Sequence, residues 1–530
     1  MKRNSSRSSS YDHVVVGAGS AGCVLASRLT EDPRTRVLLV EAGPRDKSLK
    51  MRIPLAFAEL FDSEYDWAFR TEPQKQLDGR SVRWPRGRTL GGSSSLNGQV
   101  YCRDRAIDFR SWEPGWTFDD LLPYFRRSER SSYGTPALHG DAGPLHVTRP
   151  RRPHRLTAAF VAAAEQTGLQ HVDDLNSEPG TDVVGHSPLN QWRGRRWSSA
   201  DAYLRPAAKR RNLTVLTDTL CTGIEIHGRQ AVSVTLRQGS QTIRVRVDGE
   251  VILAAGAIST PHLLQISGIG RPSDLTAAGT TVLHELPAVG HYLQDHPLVF
   301  LVRACRRPIS LYGAGGVRDL LSWAVLRRGP LASNAAEALA FLRTHESLDG
   351  PDIELGFVPG PFVDGGYGTP TAHAMSLAIN LLQPVSRGSI VLRDPEAAHP
   401  PRIDPGYFTE PGDLNVLVEG IRSAMDIFDA EALAVHAGDW MDSPAPDATR
   451  TAIEAFIRRN ASTGFHPVGT CRLGSDNQTS VVDTSLRVHG ITGLRIADAS
   501  VFPHIGRGHP HATVVALAER AADLIRAQHP

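Results

Sequence analysis

A chain of 530 residues is too long for one hydrophobic core and divides into two or three domains. With 41% hydrophobic and 22% charged residues it is globular, and a formal charge of +2 gives no bulk attraction to nucleic acid or to a membrane surface. Five scattered cysteines without CxxC spacing exclude a disulfide framework or zinc knot and suit a reducing, cytoplasmic setting.

Scarce lysine beside abundant arginine points to a GC-rich, bacterial genome. The opening MKRNSSRSSS is polar and basic, which predicts disorder. The apolar stretch after it is broken by glycines, unlike a signal peptide, and no apolar run is long enough to be an integral membrane segment.

His13–Val16 reads as a buried strand, followed by a glycine turn and a helix from about Ser20. Arg36–Gly43 reads as a second buried strand. Gly17-Ala18-Gly19-Ser20-Ala21-Gly22 joins the first strand to the helix. There Gly17 permits a tight turn, Gly19 lets backbone approach a pyrophosphate, and Gly22 lets helix pack on strand. The free N–H groups where Ser20 and Ala21 open the helix favour phosphate charge. Glu41 and Ala42 end the next strand about twenty residues on, where a carboxylate accepts from both ribose hydroxyls. These features together predict a dinucleotide site. The βαβ rhythm breaks after Glu41, which fits an extended FAD held by dispersed segments better than a nicotinamide cofactor.

Trp84–Val100 is glycine- and serine-rich and predicts a loop leading into a helix. RLTAAFVAAAEQTG predicts an amphipathic helix. The stretches NLTVLTDTLCTGIEIHG and AVSVTLRQGSQTIRVRVDGEVILAAG alternate at period two, predicting short strands, before AISTPHLLQISGIG returns to helix. Residues 300–385 read as irregular apart from a strand at DIELGFVPG. SRGSIVLRDP predicts another strand and PGDLNVLVEGIRSAMDIF a helix. The chain closes as strand, loop and helix through GLRIADASVFP and TVVALAERAADLIRAQ. No repeat is present, and the mixture predicts α/β with a second, sheet-rich domain.

GRGHPHATVV sets His509 and His511 around Pro510. An H-x-H zinc clip with His504 is one reading. The irregular backbone at Gly508 and Pro510, with no carboxylate or cysteine at ligand spacing, argues against any metal. An incidental surface turn is another.

Gly87–Asp104 and Gly256–Gly270 resemble, almost position by position, the two signature stretches of the glucose–methanol–choline (GMC) oxidoreductase family. His466–Gly474 and Gly493–Pro503 resemble its C-terminal segments in the same order. GGSSSLNG and HPVGTCR look most like choline-dehydrogenase-like members. The resemblance runs from Tyr11 to about Ile525 and is weakest in 150–200 and 300–380. It implies a Rossmann-like FAD-binding domain (11–150, 206–300 and 466–530) and an α+β substrate domain with an antiparallel sheet (151–205 and 301–465).

The resemblance further implies an FAD enzyme that oxidises a primary alcohol to the aldehyde by hydride transfer to flavin N5. Oxygen, or a quinone or other acceptor, then reoxidises the flavin. A lyase that cleaves cyanohydrins and keeps FAD structural is the alternative on the same fold. Gly87, Arg88, Gly91, Gly92 and Ser93 would bring backbone to the pyrophosphate and flavin edge, with Asn97 near the isoalloxazine. Leu96 stands where some members carry an FAD-tethering histidine, so FAD is expected to be noncovalent. Asp498 and Ala499 would contact the ribityl–phosphate portion, and Cys221 the adenine.

An alcohol is too weak an acid to ionise unaided at neutral pH, so a positioned base and a hydrogen-bond donor to the oxygen are needed. His466 matches the family's catalytic histidine. His509, six residues past Pro503, matches its partner, with His511 as second choice near the flavin and Pro510 fixing the turn. Phe465, Tyr101 and Trp67 are candidate pocket or core residues. Glu337 and Glu354 fall in segments bordering the pocket, where a carboxylate would suit a cationic or polyhydroxylated substrate.

Overall fold

The computed structural model describes residues 10–177 and 180–528. The expected disordered start, Ser10 apart, lies outside the described residues.

The strands YDHVVV (Tyr11–Val16) and VLLV (Val37–Val40) carry continuous β-branched and leucine runs because the sheet is covered on both faces, as parallel sheets are. They form the centre of a parallel array: Leu213–Leu216, Val37–Val40, Tyr11–Val16, the second half of Gln241–Leu253, and Leu494–Ile496. The first half of Gln241–Leu253 pairs antiparallel with Gln230–Gln238, which pairs with Leu220–His227. One long strand thus belongs to both parts of the sheet. Helices Ser20–Leu29 and Pro510–Gln528 pack on each other over it, joined by Arg28 to Glu519 at 2.8 Å.

A second sheet runs Ala437–Met441, Pro297–Cys305, Ala374–Leu381, Ile353–Val358, Ala338–Leu342, Val183–His186 and Gln170–His171. Its pairings are antiparallel except the last. Helices Arg155–Gln166, Pro411–Asp429 and Arg450–Asn460 cover one face, with Phe160 stacked on Phe357 at 4.8 Å. The structure is therefore the α/β architecture with an antiparallel-sheet half that the sequence suggests. Residues of 14–147, 200–289 and 468–525 build the core around the first sheet. Residues of 293–461, together with Phe69–Trp84 and 156–184, dominate the core beneath the second.

Two local expectations are corrected. Residues 300–385 are not irregular: Ala338–Leu342 and Ala374–Leu381 lie inside the second sheet beside Ile353–Val358, and Pro297–Cys305 enters the region. All eight residues of Ala374–Leu381 are buried, so the polar–apolar alternation that marks a half-exposed strand is missing. The Trp84–Val100 loop does not lead into an α-helix. It makes a 3-10 turn at Gly92–Ser95 and then continues as turn and irregular backbone, with Gln99 at a φ of +65°. Ser94 and Ser95 donate back to the carbonyls of Gly91 and Leu90 (2.6 and 2.8 Å), which competes with helix propagation.

Candidate active site

The carboxyl ends of four parallel strands, at Val16, Val40, Leu253 and Ile496, open on one cavity of about 470 Å³, where ligands of open α/β sheets bind. Gly17, Gly19, Ser20, Ala21, Glu41, Ala42, Gly87, Gly92, Ser93, Asn97, Cys221, Asp498, Ala499, Pro510 and His511 all line it. Gly22, Arg88 and Gly91 do not. Gly22 faces the turn, where a Cβ would stand 1.8 Å from the Gly17 carbonyl. Arg88 lies over the Trp67 ring at 5.3 Å, and Gly91 donates its N–H to Ala18 at 2.7 Å.

Three helix N-termini reach this cavity, those of Ser20–Leu29, Gly256–Ile266 and Pro510–Gln528. The first has no side-chain cap, so its N–H groups are available to an anion. The Glu41 carboxylate accepts from Ala18 N and Gly43 N at 3.0 and 2.9 Å, and burial pushes its pKa up to about 7. Asp498 holds the second helix start through Gly256 N at 2.8 Å and Thr260 at 2.6 Å.

The final helix begins at Pro510 itself, the first-turn position where its missing N–H costs nothing. His509 therefore sits just outside the helix, with its N–H on the Cys102 carbonyl at 2.8 Å, while His511 lies in the first turn. The two imidazoles diverge. His509 comes to 4.6 Å from His466, centroid to centroid. His511 instead pairs through Nδ1 with Ser20 Oγ at 3.0 Å, across two helix starts, and burial lowers its pKa to about 4. Its Nε2 is buried without a protein partner at the cavity wall.

His466 follows Phe465, whose φ of +67° is a left-handed conformation rare for an aromatic residue. The turn is fixed by Thr463 Oγ1 on Phe465 N at 2.7 Å and by the Asp295 carboxylate on His466 N at 2.7 Å. Arg86 donates to the Phe465 carbonyl at 2.8 Å. Burial, reinforced by the neighbouring His509, His296 and the Arg86 guanidinium, pushes the His466 pKa well below the usual histidine range, so it stands neutral at pH 7.

The tautomer of His466 follows from its neighbours. His296 Nε2 lies 3.0 Å from the Gly506 carbonyl, which only accepts, so Nε2 carries the hydrogen. Burial lowers the His296 pKa to about 3, leaving its Nδ1 an acceptor. His466 Nδ1, 3.0 Å away, is then the donor, and its Nε2 keeps the lone pair. His509 Nε2 meets Glu354 Oε2 at 2.9 Å.

No motif in the sequence marks His296, Asp295 or the fully buried Arg196, which donates to Asn97 Oδ1 at 2.7 Å. A polar triplet inside the apolar run YLQDHPLVFLV was the available signal. Glu354 lines the cavity as the border reading expects, but Glu337 does not: it accepts from His154 N and Thr157, both at 2.7 Å. Trp67 and Phe465 line the cavity, whereas Tyr101 is core. Among the described residues no group of three or more His, Cys, Asp and Glu side chains could hold a metal ion, and no helix is long and apolar enough to cross a membrane.

The GMC oxidoreductase family pattern matches residues 11–298 and 384–518. A GMC-type oxidoreductase of Mycobacterium tuberculosis is 42% identical over 97% of this chain and 99% of its own. Human mitochondrial choline dehydrogenase is 38% identical over 98% and 90%, and the alcohol dehydrogenase (acceptor) of Pseudomonas putida 38% over 97% and 95%. Among solved structures, pyridoxine 4-oxidase from Mesorbium loti superposes with a TM-score of 0.89 at 33% identity, covering 98% of this chain and 99% of that one. A variant of Aspergillus oryzae formate oxidase does so with a TM-score of 0.92 at 28% identity and the same coverage.

Proposed function

The chain belongs to the GMC oxidoreductase family, and from that premise we propose that it oxidises a primary alcohol to the aldehyde, with noncovalent FAD, His466 as base and His509 as partner. The residues present fit the cofactor. The cleft is extended, uncapped helix N–H groups face it, Glu41 stands at a strand end beside it, and the orphan Nε2 of His511 lies on its wall. Leu96, packed with Met51 and Leu60, offers no nucleophile for a covalent tether.

Bound FAD would supply the hydride acceptor at its N5. This chain's part is proton handling. The lone pair on His466 Nε2 takes the hydroxyl proton as the carbinol hydride leaves, so the two electrons of the C–H bond depart and the C=O bond forms. His509 donates Nε2–H to Glu354, and a second hydrogen on Nδ1, its charge balanced by that carboxylate, would hold the alcohol oxygen. The observation that carries the reading is the face-to-edge pair of imidazoles, 4.6 Å apart, on one wall of the cavity.

Two predictions test it. The purified protein is expected to be yellow, to release free FAD on denaturation, and to bleach anaerobically with an alcohol; bleaching by no alcohol would favour the lyase reading. His296→Leu removes the acceptor that fixes the His466 tautomer. Flavin reduction is expected to slow by roughly one to two orders of magnitude, with flavin content unchanged and the pH profile altered. An unchanged profile would make His296 merely structural.

A further inference from the structure

We propose that the alcohol taken here is uncharged and apolar, an alkyl or aryl carbinol, and that quaternary ammonium alcohols such as choline are rejected. This rests on the oxidation reading above and concerns the wall that receives the rest of the substrate.

Five phenylalanines form a continuous wall ending beside the base. Phe300 meets Phe362 at 4.8 Å, Phe362 stacks on Phe57 at 6.1 Å, and Phe57 meets Phe61 at 6.0 Å. Phe61 then meets Phe465 at 6.0 Å, the residue before His466. All five line the cavity. Such surfaces favour carbon chains and rings by removing their area from water.

Nothing on this wall compensates a cation. Three carboxylates line the cavity, and each is spent. Glu41 and Asp498 hold backbone N–H groups at the strand ends. Glu354 gives Oε2 to His509 at 2.9 Å and takes Asn380 Nδ2 on Oε1 at 3.1 Å. A charged group at this wall is itself positive: Arg86 lines the cavity and donates to the Pro85 and Phe465 carbonyls at 2.6 and 2.8 Å. Phe rings can cage an ammonium through their faces, but Phe57 and Phe362 turn one face each towards the other, with planes 22° apart, and no carboxylate stands free beside the remaining rings. A trimethylammonium group would be desolvated without a partner, next to a guanidinium.

The test uses the FAD-loaded protein and two alcohols of one shape, choline and 3,3-dimethylbutan-1-ol, in which carbon replaces nitrogen. Anaerobic flavin bleaching is expected to be at least about a hundredfold more efficient with the neutral alcohol. Across straight-chain primary alcohols, efficiency should rise roughly fourfold per buried methylene. A second readout needs no turnover: 2-methylbutan-2-ol, which has no carbinol hydrogen to give, should raise Tm, and tetramethylammonium should not. Choline bleaching as efficiently as its isostere, or tetramethylammonium giving the larger Tm rise, overturns the substrate class and leaves the oxidation reading standing. If no alcohol bleaches bound flavin, the oxidation reading falls, and the substrate class with it.

Discussion

His466→Ala is expected to slow flavin reduction by an alcohol roughly a thousandfold, with flavin content and Tm close to wild type. His466 is the imidazole with a lone pair left over: Nδ1–H is used on His296, and Nε2 has no protein partner. His509 cannot substitute at once, because its Nε2 is held by Glu354 and its remaining nitrogen is needed for the oxygen. The backbone at this position is fixed through Asp295 to His466 N and Thr463 to Phe465 N, so loss of the ring leaves the turn in place. The sign of the pH dependence follows from the same site. A base whose pKa is lowered keeps its neutral form as pH falls, so wild-type reduction should stay flat through pH 6.5 and decline only below it. Stopped-flow reduction across pH checks both statements. An alanine variant reducing at the wild-type rate would sink the mechanism.

What was legible in the sequence, and what was not, divides by how chemistry is encoded along a chain. The dinucleotide fingerprint is contiguous, since Gly17, Gly19 and Gly22 each answer to a backbone constraint within one turn, and Glu41 ends the neighbouring strand. The fold class followed from strand–helix alternation in the first half of the chain. The second sheet is hidden from periodicity because its strands are buried on both faces. Ile353, Leu355 and Phe357 enter the core while Glu354, Gly356 and Val358 face the cavity, so neither face shows as solvent. His296 carries no local signal because it meets His466 only through tertiary structure, 170 positions apart, by way of the Pro297↔Thr463 pairing. The ranking of His509 over His511 rests in the sequence on an offset from Pro503 alone, and the helix start at Pro510 gives it a physical reason. That start sends one imidazole to His466 and the other to Ser20.

Gly22→Ala is expected to leave less than roughly a tenth of the wild-type flavin in the soluble protein, the larger loss among single-methyl changes. A Cβ at Gly22 would lie 1.8 Å from the Gly17 oxygen and 3.0 Å from its carbon, and both are backbone that cannot rotate aside. The turn cannot yield either, because Gly17 N is tied to Val40 at 2.8 Å and its φ of +101° already suits only glycine. The helix Ser20–Leu29 must retreat instead, carrying with it the N–H groups that face the cavity. Overpacking of this kind costs about 1–3 kcal/mol, within the stability of a domain of this size. A misplacement of about an ångström is enough to spoil a pyrophosphate cradle. Folding and flavin loading therefore separate: Tm falls modestly while the ratio of flavin to protein absorbance collapses. Gly223→Ala, in the same sheet with open space around its Cβ position, is the matched control and should keep its flavin. Full flavin in Gly22→Ala despite a displaced helix would mean that the cradle at the first turn does not hold the cofactor.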